Sequence, residues 1–280
     1  MPVVAFTPQV ALVAVLVGVI ALVVRARVAA AVAVVVALAL AACVVPRTVA
    51  GGPHPGGPVL RVLSANIKYG LADEEALTDL VRRVRADVLV VQELTHDSRT
   101  TLATSGLEEI LPHQVVSVRP EADGTGIYAR FPIERIGTLV GPSGHAQVEA
   151  ELAVPGAASV RITAVHAQSP KLRRNPAWRA SLRLLPAASA GRSELLVGDF
   201  NATLDHAEMR RLLGRGWADA ADRSGDGLIG TWPADASPFP AVTLDHVLVS
   251  RSLGVRRTAV HEVRSSDHRA VFAVLELPPG

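Results

Sequence analysis

Up to residue 45 the chain is almost continuously apolar, whereas beyond residue 58 short apolar runs alternate with segments of helical period. Positions 10–24 (VALVAVLVGVIALVV) and 28–45 hold no charge, and the first run reaches back towards Val3 if Thr7, Pro8 and Gln9 are tolerated. A helix that crosses a bilayer needs about 20 such residues. The pattern therefore predicts two spanning helices, at about 4–24 and 28–45, joined by an Arg-Ala-Arg turn. Residues 46–58 (PRTVAGGPHPGGP) read as a flexible, partly extended linker. After it, strands are expected at 59–65, 88–92, 113–118, 125–130, 147–154, 158–165, 194–198, 244–249, 255–260 and 269–276. Helices are expected at 73–85, 97–105, 175–189 and 206–213. So many strands with so few helices predict two sheets packed face to face with helices outside, in one domain over 59–280.

Charge divides the chain at the same place. The net charge of +2 includes Arg25, Arg27 and Arg47, which are the only charged residues in the first fifty, so the remainder stands at about −1. A strongly basic nucleic-acid binder is disfavoured by that balance. Arg25 and Arg27 in the turn are expected to stay cytoplasmic, which sends both the N-terminus and the large domain to the extracytoplasmic side of the cell membrane. The rival is a cleaved signal peptide ending near Ala41-Ala42-Cys43, but its positive charge would have to precede the apolar stretch, and none does. Both readings export the domain. The single cysteine, Cys43, excludes an intramolecular disulfide and a cysteine-rich zinc site.

Polar residues fall where apolar runs stop or start. VLRVLSAN ends in Asn66, DVLVVQE in Glu93, VRITAVH in His166, and ELLVGDFN in Asp199 and Asn201; two later strands begin with Asp245-His246 and Asp267-His268. If these strands are central, their ends converge on one rim rich in carboxylates, carboxamides and imidazoles, which suits a metal and a phosphate. Magnesium takes oxygen ligands, for which Glu93 and Asp267 serve, helped by the amide oxygen of Asn66. Asp199 with Asn201 suits orientation of an attacking water, and His166 with His268 suits the phosphoryl oxygens. Singly, each has a plainer explanation: Asp199 or Asn66 closes a turn, Asp245 caps one, and Ser265-Ser266 before Asp267 marks a hydroxyl-stabilised turn. Their joint occurrence at six strand ends argues for the site.

LSANIKYG, VVQEL, VHAQSP, LLVGDFNAT, TLDHVLVS and SSDHRAVFAVLEL, in this order over 59–277, resemble the endonuclease/exonuclease/phosphatase superfamily. The resemblance implies a four-layered α/β/β/α sandwich and magnesium-dependent phosphoester cleavage, with manganese as a substitute ion. It makes Glu93 the principal metal ligand, with Asn66 beside it and Asp267 completing the carboxylates. His166 would contact the scissile phosphate, Asp199 and Asn201 would activate water, and Asp245 would hold the ring of His268. Lys68, His246 and Ala270 depart from patterns common in the superfamily, and together with export of the domain they argue against abasic-site repair.

The segment SPKLRRNPAWRASLR is the densest basic stretch of a nearly neutral domain, and Arg173, Arg174 and Trp178 are its candidate substrate contacts; the alternative packs Trp178 on the core. The substrate is a phospholipid, a nucleic acid or a small phosphoester, and the bilayer is the other expected partner. A reading of a different class is a catalytically silent module that binds a phosphorylated ligand at the membrane.

Overall fold

The computed structural model describes residues 3–118, 123–140, 146–170, 176–235, 238 and 240–280. Two apolar helices come first: α1 (Thr7–Val23) and α2 (Arg27–Val44), antiparallel and separated by a turn at Arg25. Small residues make their seam, since Gly18, Ala21, Ala30 and Ala33 are the buried positions, along with Thr7. A Cβ on Gly18 would lie 3.5 Å from that of Ala33, the close approach small residues permit. The apolar segments Val4–Val23 and Arg27–Thr48 are 20 and 22 residues long, enough for a bilayer. Only 17% and 11% of them are buried, unlike the core helix of a soluble domain.

The described residues of the domain form two six-stranded mixed sheets. In the first, the order is β11 (Gly254–Glu262), β12 (Arg269–Glu276), β1 (Val59–Asn66), β2 (Val88–Gln92), β4 (Thr125–Ala129), β3 (His113–Ser117). In the second it is β5 (Ile133–Val140), β6 (Ala146–Leu152), β7 (Val160–His166), β8 (Ser193–Asp199), β10 (Asp245–Ser250), β9 (Trp217–Asp219). Each sheet centres on one parallel pair, β1–β2 and β7–β8, whose crossovers carry helices α3 (Glu74–Val84) and α6 (Pro176–Leu184).

Alternation along the central strands serves two cores. Leu60 and Val62 of β1, Val88 and Val90 of β2, Ile162 and Ala164 of β7, Leu195 and Val197 of β8 and Val247 and Val249 of β10 meet between the sheets. The opposite parity faces helices. Leu63 and Leu89 pack on α3, on α4 (His96–Thr104) and on α5 (Leu107–Ile110) through Leu77, Leu80, Leu102 and Leu107. Val165, Leu196 and Leu248 pack on α6 and on α7 (Ala207–Leu213) through Leu182, Met209 and Leu212. The expected α/β/β/α layering is thus present.

All ten expected strands form, and β5 and β9 add to them. An irregular register between Ile133 and Arg135 breaks the alternation of β5, leaving Ile136 exposed; β9 is three residues at a sheet edge. The short helices α5 and α8 (Ala220–Ser224) were also not expected. Helix α6 stops at Leu184 rather than 189 because Pro186 follows and disfavours helix at the residue before it. Residues 46–58 lie against the domain: the Gly51 N–H donates to the Arg223 carbonyl (2.8 Å), His54 sits 3.6 Å from Glu276, and the Leu277 N–H donates to the Pro58 carbonyl (2.9 Å).

Candidate active site

The inner-face parity that places Leu60 and Val62 between the sheets continues through Ser64 to Asn66, the last residue of β1. The same count leads from Ile162 and Ala164 to His166, from Leu195 and Val197 to Asp199, and back from Val247 to Asp245. The site is therefore the polar end of the inter-sheet core. Register fixes it across strands, since His166 pairs with Asp199 and Asp199 with Asp245. All these side chains are buried.

Glu93 and Asn201 lie one and two residues beyond their strands, in left-handed backbone (φ 62° and 49°). Such conformations cost roughly 1–3 kcal/mol and collect at functional sites. The turn brings Glu93 back over the core end, where Asn66 Nδ2 donates to its Oε1 (2.9 Å) and the Tyr69 N–H to its Oε2 (2.8 Å). Asn201 folds onto Asp199: its N–H donates to Oδ1 (2.7 Å), and its Nδ2 donates to Oδ2 (3.0 Å) and to the Ala167 carbonyl (2.9 Å).

Gly198, just before Asp199, has φ +146°, and a Cβ there would overlap the Val165 carbonyl. Only glycine lets β8 run this close to β7.

Asn66 Nδ2 also donates to Asp199 Oδ2 (3.2 Å), while the Lys68 N–H holds Asn66 Oδ1 (2.9 Å). The amide thus presents its donors to two carboxylates, while its oxygen, read from the sequence as a metal ligand, accepts one main-chain hydrogen bond and keeps a second lone pair. His268 Nδ1 lies 2.9 Å from Asp245 Oδ2, and its Nε2 is 4.0 Å from Asp199 Oδ2. His166 Nε2 is 3.8 Å from Glu93 Oε1. Asp267 is half-buried, and Trp232 Nε1 donates to its Oδ2 (3.3 Å). The Trp232 ring lies 6.4 Å from that of His268.

Burial pushes Asp199 up to about 7; the Asp245 charge adds to this, while the His268 charge opposes it. Burial likewise raises Glu93, against the hydrogen bonds from Asn66 and Tyr69. Burial works against the His268 imidazolium, but the Asp245 and Asp199 carboxylates outweigh it and push His268 up to about 10. Ligand atoms of Asp199, Asp245 and His268 lie within 4.8 Å of one another, a spacing that suits a metal ion, but a charged His268 has no lone pair to offer, which leaves the two carboxylates of the trio to face a cation. Buried carboxylates outnumbering one imidazolium, with oxygen donors predominating, suit a hard divalent cation.

Three residues that position the site carry weaker sequence signals. Ser266 Oγ donates to the Asn66 carbonyl (2.7 Å) and accepts from the His268 N–H (3.1 Å), so the hydroxyl-stabilised turn and the site are one feature. Thr231 Oγ1 accepts from the N–H groups of Leu244 and Asp245 (3.0 and 3.2 Å), fixing the start of β10. His246 points to the opposite face, where its Nδ1 meets Asp219 (2.9 Å) and its Nε2 donates to the Ala202 carbonyl (2.9 Å), pinning the loop after Asn201. Burial opposes its charge, but Asp219 holds it above the ordinary imidazole range.

Trp178 departs from its expected substrate role. It is 7% exposed, packed in the outer core with its ring 5.3 Å from His206, because the apolar face of α6 has the second sheet to cover. Arg173 and Arg174 lie outside the described residues.

A two-sheet sandwich whose strand ends gather acids, amides and imidazoles defines a class of hydrolase folds. The chain belongs to the endonuclease/exonuclease/phosphatase family, whose sequence profile matches residues 63–268. No curated protein matches it in sequence. Among solved structures it is similar to an endonuclease/exonuclease/phosphatase from Beutenbergia cavernae, at 21% identity and a TM-score of 0.65, covering 78% of this chain and 72% of that one. It is also similar to D. rerio TDP2 complexed with a single-strand DNA product (17%, TM-score 0.64, 78% and 98% covered). Truncated Caenorhabditis elegans TDP2 matches at 20% and a TM-score of 0.62, with 78% and 97% covered.

Proposed function

We propose that this protein is a membrane-anchored, magnesium-dependent phosphodiesterase whose catalytic domain, residues 59–280, faces the extracytoplasmic side. The observation that carries the reading is the constellation of buried Asp199, Asp245 and His268 with half-buried Asn201, joined through Asn66 to Glu93. Asp199, held by Asn201 and Asn66, orients the attacking water and takes its proton. His268 stays cationic through neutral pH and donates to a phosphoryl oxygen from the Asp245-held ring. His166, whose Nε2 lies 3.8 Å from Glu93 Oε1, supports the same phosphate.

Glu93 is the leading ligand for the divalent ion. Each of its oxygens accepts one hydrogen bond and keeps a lone pair, and its side chain is 12% exposed. Asp267 is the second carboxylate. Bound by these carboxylates, the ion would act as a Lewis acid that neutralises charge on the phosphoryl group. The DNA product recorded with D. rerio TDP2 supports phosphodiester chemistry for this fold.

The hydropathy and uncovered sides of α1 and α2 support the anchor, and Arg25 and Arg27 in the turn orient it. The test is the full chain in detergent with bis(p-nitrophenyl) phosphate, with magnesium or chelator, beside Asp199→Asn and His268→Ala. Turnover that needs the metal and falls at least ~10²-fold in both variants is expected. Turnover surviving both substitutions, or none in the native chain, overturns the reading. Protease added to intact cells removes the domain if it faces outward.

A further inference from the structure

The C-terminal ends of β1, β2, β7 and β8 and the N-terminal starts of β10 and β12 share one end of the sandwich, so their loops form the rim of the site. Among the described residues of 59–280, the exposed large apolar side chains are Tyr69, Leu71, Ile136, Leu184, Leu228 and Ile229. Four of these six stand on rim loops: Tyr69 and Leu71 after β1, and Leu228 and Ile229 ahead of β10. Scattered apolar exposure is ordinary, but concentration around a polar, buried site calls for an apolar neighbour.

The same rim meets the membrane hairpin. Arg47, just past α2, makes a bidentate pair with Asp205 (2.7 and 3.0 Å), four residues beyond Asn201. The Arg47 carbonyl accepts from the Gly227 N–H (3.2 Å). Ala5, just before α1, and Pro8 and Gln9 at its start line a crevice with Thr203, Asp205 and Leu228. The membrane-entry ends of both helices thus touch the loops that flank Asp199 and Asp245.

The linker explains how this orientation arises. Strand β1 begins at the far end of the sandwich, about 26 Å from the rim at roughly 3.3 Å for each of its eight residues. From Arg47 the chain passes Arg223, Gly254 and Glu276 in turn before Leu277 receives it at Pro58. It climbs from the membrane end to the far end, and β1 then descends to the site. A short connection would have put the start of β1 at the bilayer and the site away from it.

We infer that the active-site rim lies at the membrane surface and that the substrate is a phosphodiester carried by a membrane lipid, hydrolysed at headgroup depth. Leu71, Leu228 and Ile229 enter the boundary between headgroups and acyl chains, as interfacial apolar groups do. One water is consumed, one P–O bond breaks, and a phosphomonoester and an alcohol result. The inference rests on the phosphodiesterase reading and the membrane anchor and adds to them the orientation of the site and the class of substrate.

The full chain is reconstituted in vesicles of phosphatidylethanolamine and phosphatidylglycerol, with sphingomyelin and a polyprenyl phosphodiester as added substrates, beside soluble bis(p-nitrophenyl) phosphate. The ratio of vesicle to soluble turnover should fall about tenfold or more in Leu71→Glu and Leu228→Glu, the loss of one interfacial leucine. Ile136→Glu, on an edge strand away from the rim, should leave the ratio alone. A polarity-sensitive fluorophore on Leu71→Cys or Leu228→Cys, in a Cys43→Ala background, should be blue-shifted and quenched by nitroxide lipids. Soluble turnover with the fluorophores in water, or without hydrolysis of any of the lipids, overturns the inference while the phosphodiesterase reading stands. Fluorophores in lipid with no turnover of either substrate class instead sink the phosphodiesterase reading, and the lipid substrate with it.

Discussion

Gly198→Ala tests whether the contact between β7 and β8 sets the site. The glycine has φ +146°, a region that side chains avoid, and the added methyl would overlap the Val165 carbonyl and approach Gln92 Nε2 to 3.1 Å. The carbonyl is backbone inside a parallel ladder, so it cannot swing away as a side chain could. Backbone strain costs about 1–3 kcal/mol, and prising apart the Val165–Gly198 pairing removes hydrogen bonds worth about 0.5–1.5 kcal/mol each. A total near 3 kcal/mol lowers the melting temperature by about 6–12 °C for a domain of this size. The neighbouring pair is His166 and Asp199, so the separation also displaces two site residues; a 1 Å shift costs about 10²-fold in rate. Gly191→Ala is the control, since its φ of +71° is also positive but nothing lies within 4 Å, leaving only the strain of about 1–2 kcal/mol. Thermal melting of the full chain in detergent and phosphodiester turnover read both effects. If Gly198→Ala melts no lower than Gly191→Ala and keeps full turnover, close approach at this position does not build the site.

In metal-free protein, NMR titration of His268 should show the imidazolium persisting to about pH 10, and Asp245→Asn should bring it down towards or below the ordinary 6.5, because burial then acts unopposed by that carboxylate. Since the folded value is raised, the stability it contributes is full below about 6.5 and is lost as pH rises through about 10; the variant should lose that dependence. Arg47→Ala strands a buried carboxylate at Asp205 and should destabilise the full chain by about 3–5 kcal/mol in thermal melting, with most of the loss recovered in Arg47→Ala/Asp205→Asn. Magnesium should raise the melting temperature of chelator-treated protein, by about 2.7 kcal/mol of stability at a hundredfold excess over Kd; Glu93→Gln should abolish the increment. Trp178→Phe should lower the melting temperature slightly while leaving KM unchanged, because the ring packs in the outer core.

Strand ends were the most legible feature, for a physical reason. A strand buried on both faces stays mostly apolar inside the core, so a strongly polar residue that ends such a run marks the edge of the sandwich, as Asn66 does in LSAN, His166 in TAVH and Asp199 in LVGD. Which face that residue takes follows from parity once the inner core is known, and Asn66, His166, Asp199 and Asp245 share it. Glu93 and Asn201 reach the site by left-handed turns that the sequence signals only weakly. The least legible contacts are long-range. Arg47 reads in the sequence only as a charge just past an apolar run, and nothing local reveals that it pairs with Asp205, 158 residues later. Trp178 sits in a basic segment, yet its burial follows from the apolar face of α6 against the second sheet.

A site built as the end of a core inherits the electrostatics of the core. Asp199 and Asp245 stand where further apolar residues of the same parity would continue the packing, with little water to solvate their charge. The donors of Asn66 and Asn201 and the Asp245-held imidazolium of His268 compensate part of it. One imidazolium cannot balance Glu93, Asp199 and Asp245 together, and burial, which raises Glu93 and Asp199, makes the uncompensated charge costly there. A divalent cation at Glu93, as proposed, would supply the missing charge, and a substrate phosphate would then restore a negative centre for His166 and His268 to hold. Metal and substrate are therefore expected to bind with positive coupling: magnesium should tighten a phosphodiester inhibitor, and the inhibitor should tighten magnesium by the same factor. Calorimetric titration in both orders reads the two factors. Independent affinities would mean that the ion and the phosphate do not share the charge imbalance at the end of the core.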